Sequence, residues 1–289
     1  MALFLQLLTI GISMGMVYAF MSMGIILLVR AIGLLNFAHG SIFMAGAFIA
    51  YFFDTQMGMP FVLVLVCSLL TYIIGGIAFM FSVYWPLRKS SWPATVVIST
   101  LGASVVIREI VKLVWGPVPL PTQPLIKGTI TLGATTIEYQ YLAIIGIGII
   151  AIVSIFVLFE KMYIGRVMQA AAQDSYAASL LGISSVLTTA ITYAISVALA
   201  GLGGYLAAPL FLTSLTLGSM LQKAFAGIII GGYGNIKGAL VGSIIVGLIE
   251  SFSVLITTTY RDALIFLVLL IVLVVRPRGL FGQLIDEKA

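Results

Sequence analysis

The chain has 289 residues, of which 62% are hydrophobic and 8% charged, with a formal net charge of +5. Soluble domains carry about 25% charged residues, so this chain cannot coat an ordinary water-facing surface and the bilayer is its natural solvent. The basic residues stand singly or in pairs between apolar stretches, which argues against a nucleic-acid surface and fits residues that orient a membrane protein. A single cysteine, Cys67, and a single histidine, His39, exclude an internal disulfide and any multi-Cys or multi-His metal site.

Residues 5–29 are apolar up to Arg30, long enough to span a bilayer, and too long and too poor in basic residues at their start for a signal peptide. The stretch "GLLNFAHGSIF", Gly33 to Phe43, then interrupts the apolar pattern, and a helix resumes through "SIFMAGAFIAYFF". Asn36 is placed to cap that helix, and Asn36 and His39 are expected to tie down backbone groups freed by the break, near the inner side. Residues 37–53 form a short, discontinuous segment. Spans follow at 60–83, ending in "PLRKSS", and at 93–115, which carries Arg108, Glu109 and Lys112.

Residues 116–139, "GPVPLPTQPLIKGTITLGATTIEY", hold four prolines and predict an extended extracytoplasmic loop ending in a small hairpin. After a clean span at 139–160, residues 163–184 are too polar to cross. Their Ala-rich helical spacing predicts an amphipathic helix bracketed by Gly165 and Gly182, on the cytoplasmic side. Its small side chains and few lipid anchors favour a protein partner over a lipid surface. Spans at 186–210 and 236–257 flank a shorter segment, 218–232, which runs into "GGYGN", and a last span at 260–276 ends at "RPRG".

The fold class is therefore an all-α integral membrane protein. It is a single polytopic helical bundle over residues 1–289, with about 8–10 transmembrane segments, nine by our count, some of them discontinuous. With the N-terminus outside, Arg30, Arg88, Lys89, Lys161, Arg166, Lys237, Arg276, Arg278 and Lys288 fall inside, whereas Arg108, Lys112, Lys127, Lys223 and Arg261 lie toward the outside. That bias predicts N-out, C-in.

Ionisable residues in a span cost about 2.5–3.5 kcal/mol at the helix centre on insertion scales. Glu250 lies about 21 Å from the start of its span and Arg108 about 22 Å from Pro93. Arg108, Glu109, Lys112, Lys223 and Glu250 are thus expected to form one polar cluster in the outer half. Gly227 and Gly231, like Gly238 and Gly242, are spaced for close helix packing. "GGYGN" is instead a helix break, and with the opening motif it forms a candidate pair of matching breaks such as transporters carry in their two halves. Asn36, His39, Gly40, Gly232, Gly234 and Asn235 are the candidate pathway residues.

In order along the chain, "GLLNFAHGSIFMAGAFIAY", "GRVMQAAAQDSYAASLLGI", "GGYGNIKGALVGSIIVGLIE" and "RPRGLFG" resemble the integral-membrane permeases of branched-chain amino acid ABC importers, of the LivH type. The resemblance covers nearly the whole chain. It implies a second, homologous permease subunit, two cytoplasmic ATPase subunits that bind the ATP, and an extracytoplasmic substrate-binding protein, all at the bacterial cytoplasmic (inner) membrane. It makes 163–184 a coupling segment that docks in an ATPase cleft, with Gly165, Arg166, Gln169, Gln173, Asp174 and Gly182 as its candidate residues. The Pro-rich loop becomes a docking place for the binding protein. Many relatives carry an acidic residue where this chain has Ser41, and Ile-Pro-Gly where it has Ile236-Lys237-Gly238, which leaves the cargo open.

"GGYGNIKG" does not match the phosphate-binding loop G-x-x-x-x-G-K-[ST], so no cofactor and no enzymatic activity are expected of this chain alone. An intramembrane enzyme would need convergent polar groups, and His39 and Glu250 are expected on opposite sides. The alternatives are a permease for other amino acids, amides or urea, and a standalone ion-coupled secondary transporter.

Overall fold

The computed structural model describes residues 2–90, 92, 94–132 and 135–282. Pro93, the expected start of the fourth span, and Lys288, counted on the inner side, lie outside the described residues, as do residues 133–134 of the expected hairpin. In chain order the helices are α1 Ala2–Ile32, α2 His39–Tyr51, α3 Phe61–Phe79, α4 Ala94–Trp115, α5 Tyr139–Glu160, α6 Tyr163–Gln173 and α7 Ser175–Leu180. They continue with α8 Ser185–Phe211, α9 Met220–Gly231, α10 Ile236–Phe252 and α11 Arg261–Val275. Single π-turns extend α2 (Phe52–Gln56) and α3 (Met80–Tyr84), and a 3-10 turn, Leu215–Ser219, leads into α9.

Six helices are long and apolar enough to cross a membrane. The extended α2, the 215–231 segment and α11 are shorter. Six of the nine expected segments are thus of spanning length and apolarity, and the other three are helical but shorter. The protein is a polytopic, all-α membrane bundle.

Small residues decide which helices reach the centre. In α1, 94% of the best apolar window is buried, against 17% in α4. A Cβ on Gly15 of α1 would lie 2.6 Å from the Ile244 Cα of α10, closer than carbon atoms approach. The predicted glycine spacing acts likewise between α9 and α10. A Cβ on Gly227 would meet Ser243, and one on Gly242 would lie 2.6 Å from the Gly231 nitrogen. A buried chain of hydroxyls joins these three helices. Ser243 donates to Ser22 Oγ at 2.8 Å, and Ser22 donates to the Ala224 carbonyl at 3.0 Å. Helix α8 packs against α1, α2 and α3, while α4, α5 and α11 remain peripheral.

The loop after α4 carries the expected hairpin. Strands β1 Thr129–Leu132 and β2 Thr135–Glu138 pair antiparallel, with Thr129 opposite Glu138. The Pro-rich stretch is pinned to the end of α8 by a bridge between Leu120 and Thr213 and by a 2.6 Å hydrogen bond between the Thr122 and Thr213 hydroxyls.

Candidate substrate pathway and docking segment

The opening break lies deeper than its distance from Arg30 suggests. His39 is fully buried against α1, where a Cβ on Gly24 would sit 2.7 Å from His39 Nε2 and 2.9 Å from the Ser196 carbonyl. At 1.5 Å per residue, Gly24 is about 12 Å from the end of α1, and Ser196 about 16 Å from the start of α8. The chain therefore folds back into the bundle after α1, and α2 starts at depth rather than at the end of the bundle where α1 terminates.

Asn36 does not cap α2. That position is Ala38, without a side-chain cap. Asn36 Oδ1 instead accepts the Ala38 N–H at 3.0 Å, closing a turn one step earlier, and its Nδ2 has no partner. Phe37 N–H donates to Thr100 Oγ1 of α4 at 3.1 Å. Neither ring nitrogen of His39 forms a well-aligned hydrogen bond, although the Met21 backbone lies near the ring. His39 therefore packs more than it ties, contrary to the sequence expectation. Gly40 abuts the 3-10 turn before α9, and a Cβ there would stand 2.9 Å from Leu221 Cβ.

The second break is of another kind. Gly232 (φ 114°) and Gly234 (φ 82°) turn the chain between α9 and α10 in conformations that favour glycine. Asn235 Oδ1 caps α10 by accepting the Gly238 N–H at 3.1 Å, and its Nδ2 donates to the Phe281 carbonyl at 3.1 Å. Leu280 and Phe281 N–H groups donate to the Ile230 and Gly231 carbonyls at 2.9 Å. "RPRGLFG" is thus a clasp over a helical hairpin. The two breaks are not matching: α2 starts at depth, whereas "GGYGN" is a turn covered by the C-terminal segment. The segment that meets the opening break is 215–219, whose Gly218 lies against Gly40.

The five charges expected in one cluster separate into two groups. Lys223 Nζ sits 2.5 Å from Glu250 Oε1 and 3.0 Å from Asp262 Oδ1, and Tyr18 donates to Glu250 Oε2. Lys223 and Glu250 side chains are 18% and 7% exposed. On peripheral α4, Glu109 and Lys112 form a 3.4 Å pair with both side chains about half exposed. Arg108 is absent from every ion pair and side-chain hydrogen bond among the described residues, so the expected proximity of Arg108 to Glu250 does not give a pair. Sequence reading missed Tyr18 and Asp262. A tyrosine in an apolar span facing a carboxylate leaves no local trace, and neither does an aspartate in the first turn of a helix.

Two hollows flank the His39 layer. One, of about 430 Å³, opens between the start of α2, α4 and the 215–219 turn, and includes Gly40, Ser41, Ser104, Arg108, Glu109 and Thr216. The other, of about 710 Å³, is bordered by Arg30, Tyr84, Arg88, Gln173 and Thr192. Ser104, Thr216 and this second hollow were also missed, because lone hydroxyls in apolar helices ordinarily bond their own backbone.

The 163–184 segment is two helices, not one. Asp174 breaks it, accepting the Tyr176 and Ala177 N–H groups at 2.9 Å to cap α7. Gly165 is no bracket either. It lies inside α6, pressed against the Leu158–Phe159 backbone where a side chain does not fit. Gly182, with φ 82°, does end the segment. Gln169 donates to the Phe159 carbonyl at 2.6 Å, which fastens α6 to the end of α5. Arg166 and Gln173 are exposed, and so are the apolar side chains of Tyr176, Leu180 and Leu181, at 74%, 72% and 82%.

A polytopic helical bundle with six helices of spanning length, a helix starting at depth and polar hollows on either side of a packed layer has the make-up of a membrane permease. Residues 7–273 match the family described as "Branched-chain amino acid transport system / permease component", and the chain belongs to that family. It is 30% identical over 304 residues to the high-affinity branched-chain amino acid transport system permease protein LivH of Salmonella typhimurium (strain LT2), covering 99% of this chain and 97% of that one. LivH of Escherichia coli (strain K12) is 29% identical with the same coverage. BraD of Pseudomonas aeruginosa is 29% identical over 99% of this chain and 98% of its own. A chain of the solved structure "PsaBC from Streptococcus pneumoniae in complex with Fab" aligns with a TM-score of 0.47 at 13% identity, covering 95% of this chain and 91% of its own.

Proposed function

We propose that this protein is the permease subunit of a binding-protein-dependent ABC importer that moves branched-chain, aliphatic amino acids across the cytoplasmic membrane. The observation that carries the reading is similarity along nearly the whole chain to permeases named for that cargo. It assembles with a second permease of the same family, two ATPase subunits that bind the ATP, and an extracytoplasmic binding protein. The N-terminus faces outside and the C-terminus the cytoplasm.

The α6–α7 segment is the part that docks on an ATPase subunit. Exposed Tyr176, Leu180 and Leu181 supply the apolar contact, with Arg166 and Gln173 beside them. Asp174 and Gln169 hold its shape, so movement of the ATPase reaches α5 and α8 as rigid-body motion. The pinned Pro-rich loop and hairpin offer a shaped surface to the binding protein. Cargo passes along the wall of the bundle, and the His39–Gly24–Ser196 layer separates the two hollows until the halves rotate.

The test is uptake of labelled leucine, a polar amino acid and urea by the complex reconstituted in proteoliposomes, with and without the ATPase subunits. ATP-dependent leucine uptake is expected. Preference for urea would move the cargo assignment, and uptake without the ATPases would replace the mechanism with ion coupling through the Lys223–Glu250–Asp262 group.

A further inference from the structure

The hollow between the start of α2, α4 and the 215–219 turn is lined by an unusual set of polar groups, some of them without a partner among the described residues. The N–H groups of Gly40 and Ser41, in the first turn of α2, donate to nothing among the described residues. The Ser41 and Ser104 hydroxyls, hydrogen-bonded to each other at 2.7 Å, lie together in its wall. Arg108 borders it without an ion pair, although α4 is a membrane-spanning helix. An unpaired guanidinium cannot lie against hydrocarbon without large cost, so this face of α4 turns to water or to another subunit. Glu109 supplies a carboxylate one residue on, engaged only in the half-exposed pair with Lys112, which is of little energetic weight. Phe37, Met44, Leu215 and Leu221 provide apolar wall.

Opposite charges, free N–H donors and an apolar wall in one hollow match one ligand chemistry. We propose that this hollow holds a zwitterionic aliphatic amino acid in transit. The α2 N–H groups and Arg108 take its carboxylate, Glu109 and the Ser41–Ser104 hydroxyls take its ammonium, and Met44 and Leu221 face its side chain. The inference rests on the importer reading and adds a place where the cargo pauses inside the membrane. Helix N-termini favour anionic groups through their free N–H donors and dipole. The volume, about 430 Å³, lies within the range of about 300–1,000 Å³ typical of small-molecule pockets. Gly40 is required at this spot because a side chain would drive the 215–219 turn away and open the floor.

The assembled transporter in proteoliposomes provides the test. Arg108→Gln should raise the KM for leucine uptake about tenfold or more, the worth of one charge-assisted hydrogen bond, and Arg108→Lys should recover part of it. The complex should still assemble on size exclusion. In a Cys67→Ser background, Ser104→Cys should react with a water-soluble maleimide, and excess leucine should slow that labelling, whereas leucinol and isocaproate, each lacking one charged group, should not. If the unaltered complex moves no amino acid, the importer reading fails at its cargo. If it moves leucine while Ser104→Cys labelling ignores leucine and Arg108→Gln keeps its KM, the station alone is overturned.

Discussion

Two sets of charges sit in the membrane part of this protein, and they are built differently. On α9, α10 and α11, Lys223, Glu250 and Asp262 join three helices, and Tyr18 of α1 completes the contact. On α4, Arg108, Glu109 and Lys112 occupy a single peripheral helix and engage at most each other. In the first set Lys223 and Glu250 are enclosed, with the exposed Asp262 at their edge, so these charges answer one another and fix how helices meet. The second is open, so its charges are available to something outside the chain. Burial, rather than the number of charges, separates a structural group from a candidate binding group.

That contrast can be broken by substitution. Lys223→Met leaves buried Glu250 without its cation and should destabilise the protein by about 3–5 kcal/mol, read as a lower unfolding temperature in detergent. Adding Glu250→Leu should restore most of the loss, because two uncharged side chains leave no orphaned charge. Tyr18→Phe removes one donor to the same carboxylate and should cost about 1.5–3 kcal/mol by the same measurement. Arg108→Gln and Lys112→Ala should each change stability by about 0.5 kcal/mol or less, as exposed sites do. An α4 variant as damaging as Lys223→Met would show that the open set is structural too.

The helical framework was legible because apolar runs of spanning length leave few other solutions, and the small-residue spacing in α9 and α10 correctly announced close packing. The 163–184 segment stood out by its polarity, yet its division at Asp174 did not, since Asp inside an Ala-rich stretch reads equally as a surface residue. The hairpin in the 116–139 loop was visible in its alternation. The candidate pathway was half legible. Gly40 and the break at Asn36–His39 were marked by polarity, but the depth of α2 and its meeting with Gly218 join residues far apart in sequence. "GGYGN" misled because three glycines signal a turn without saying where in the membrane the turn lies. Its distance from "RPRGLFG" along the chain hid the clasp that covers it.

The sequence by itself determined the solvent, the helical polytopic class and the family, because each follows from composition and local order. Tertiary structure decided which charges meet, which glycines touch, and which of two breaks opens into a hollow. Those depend on helix rotation and depth, which are set by the sum of many side-chain contacts. Arg108 and Glu250, nearly equal in their distance along their helices, show the difference: equal depth does not place two side chains on facing sides.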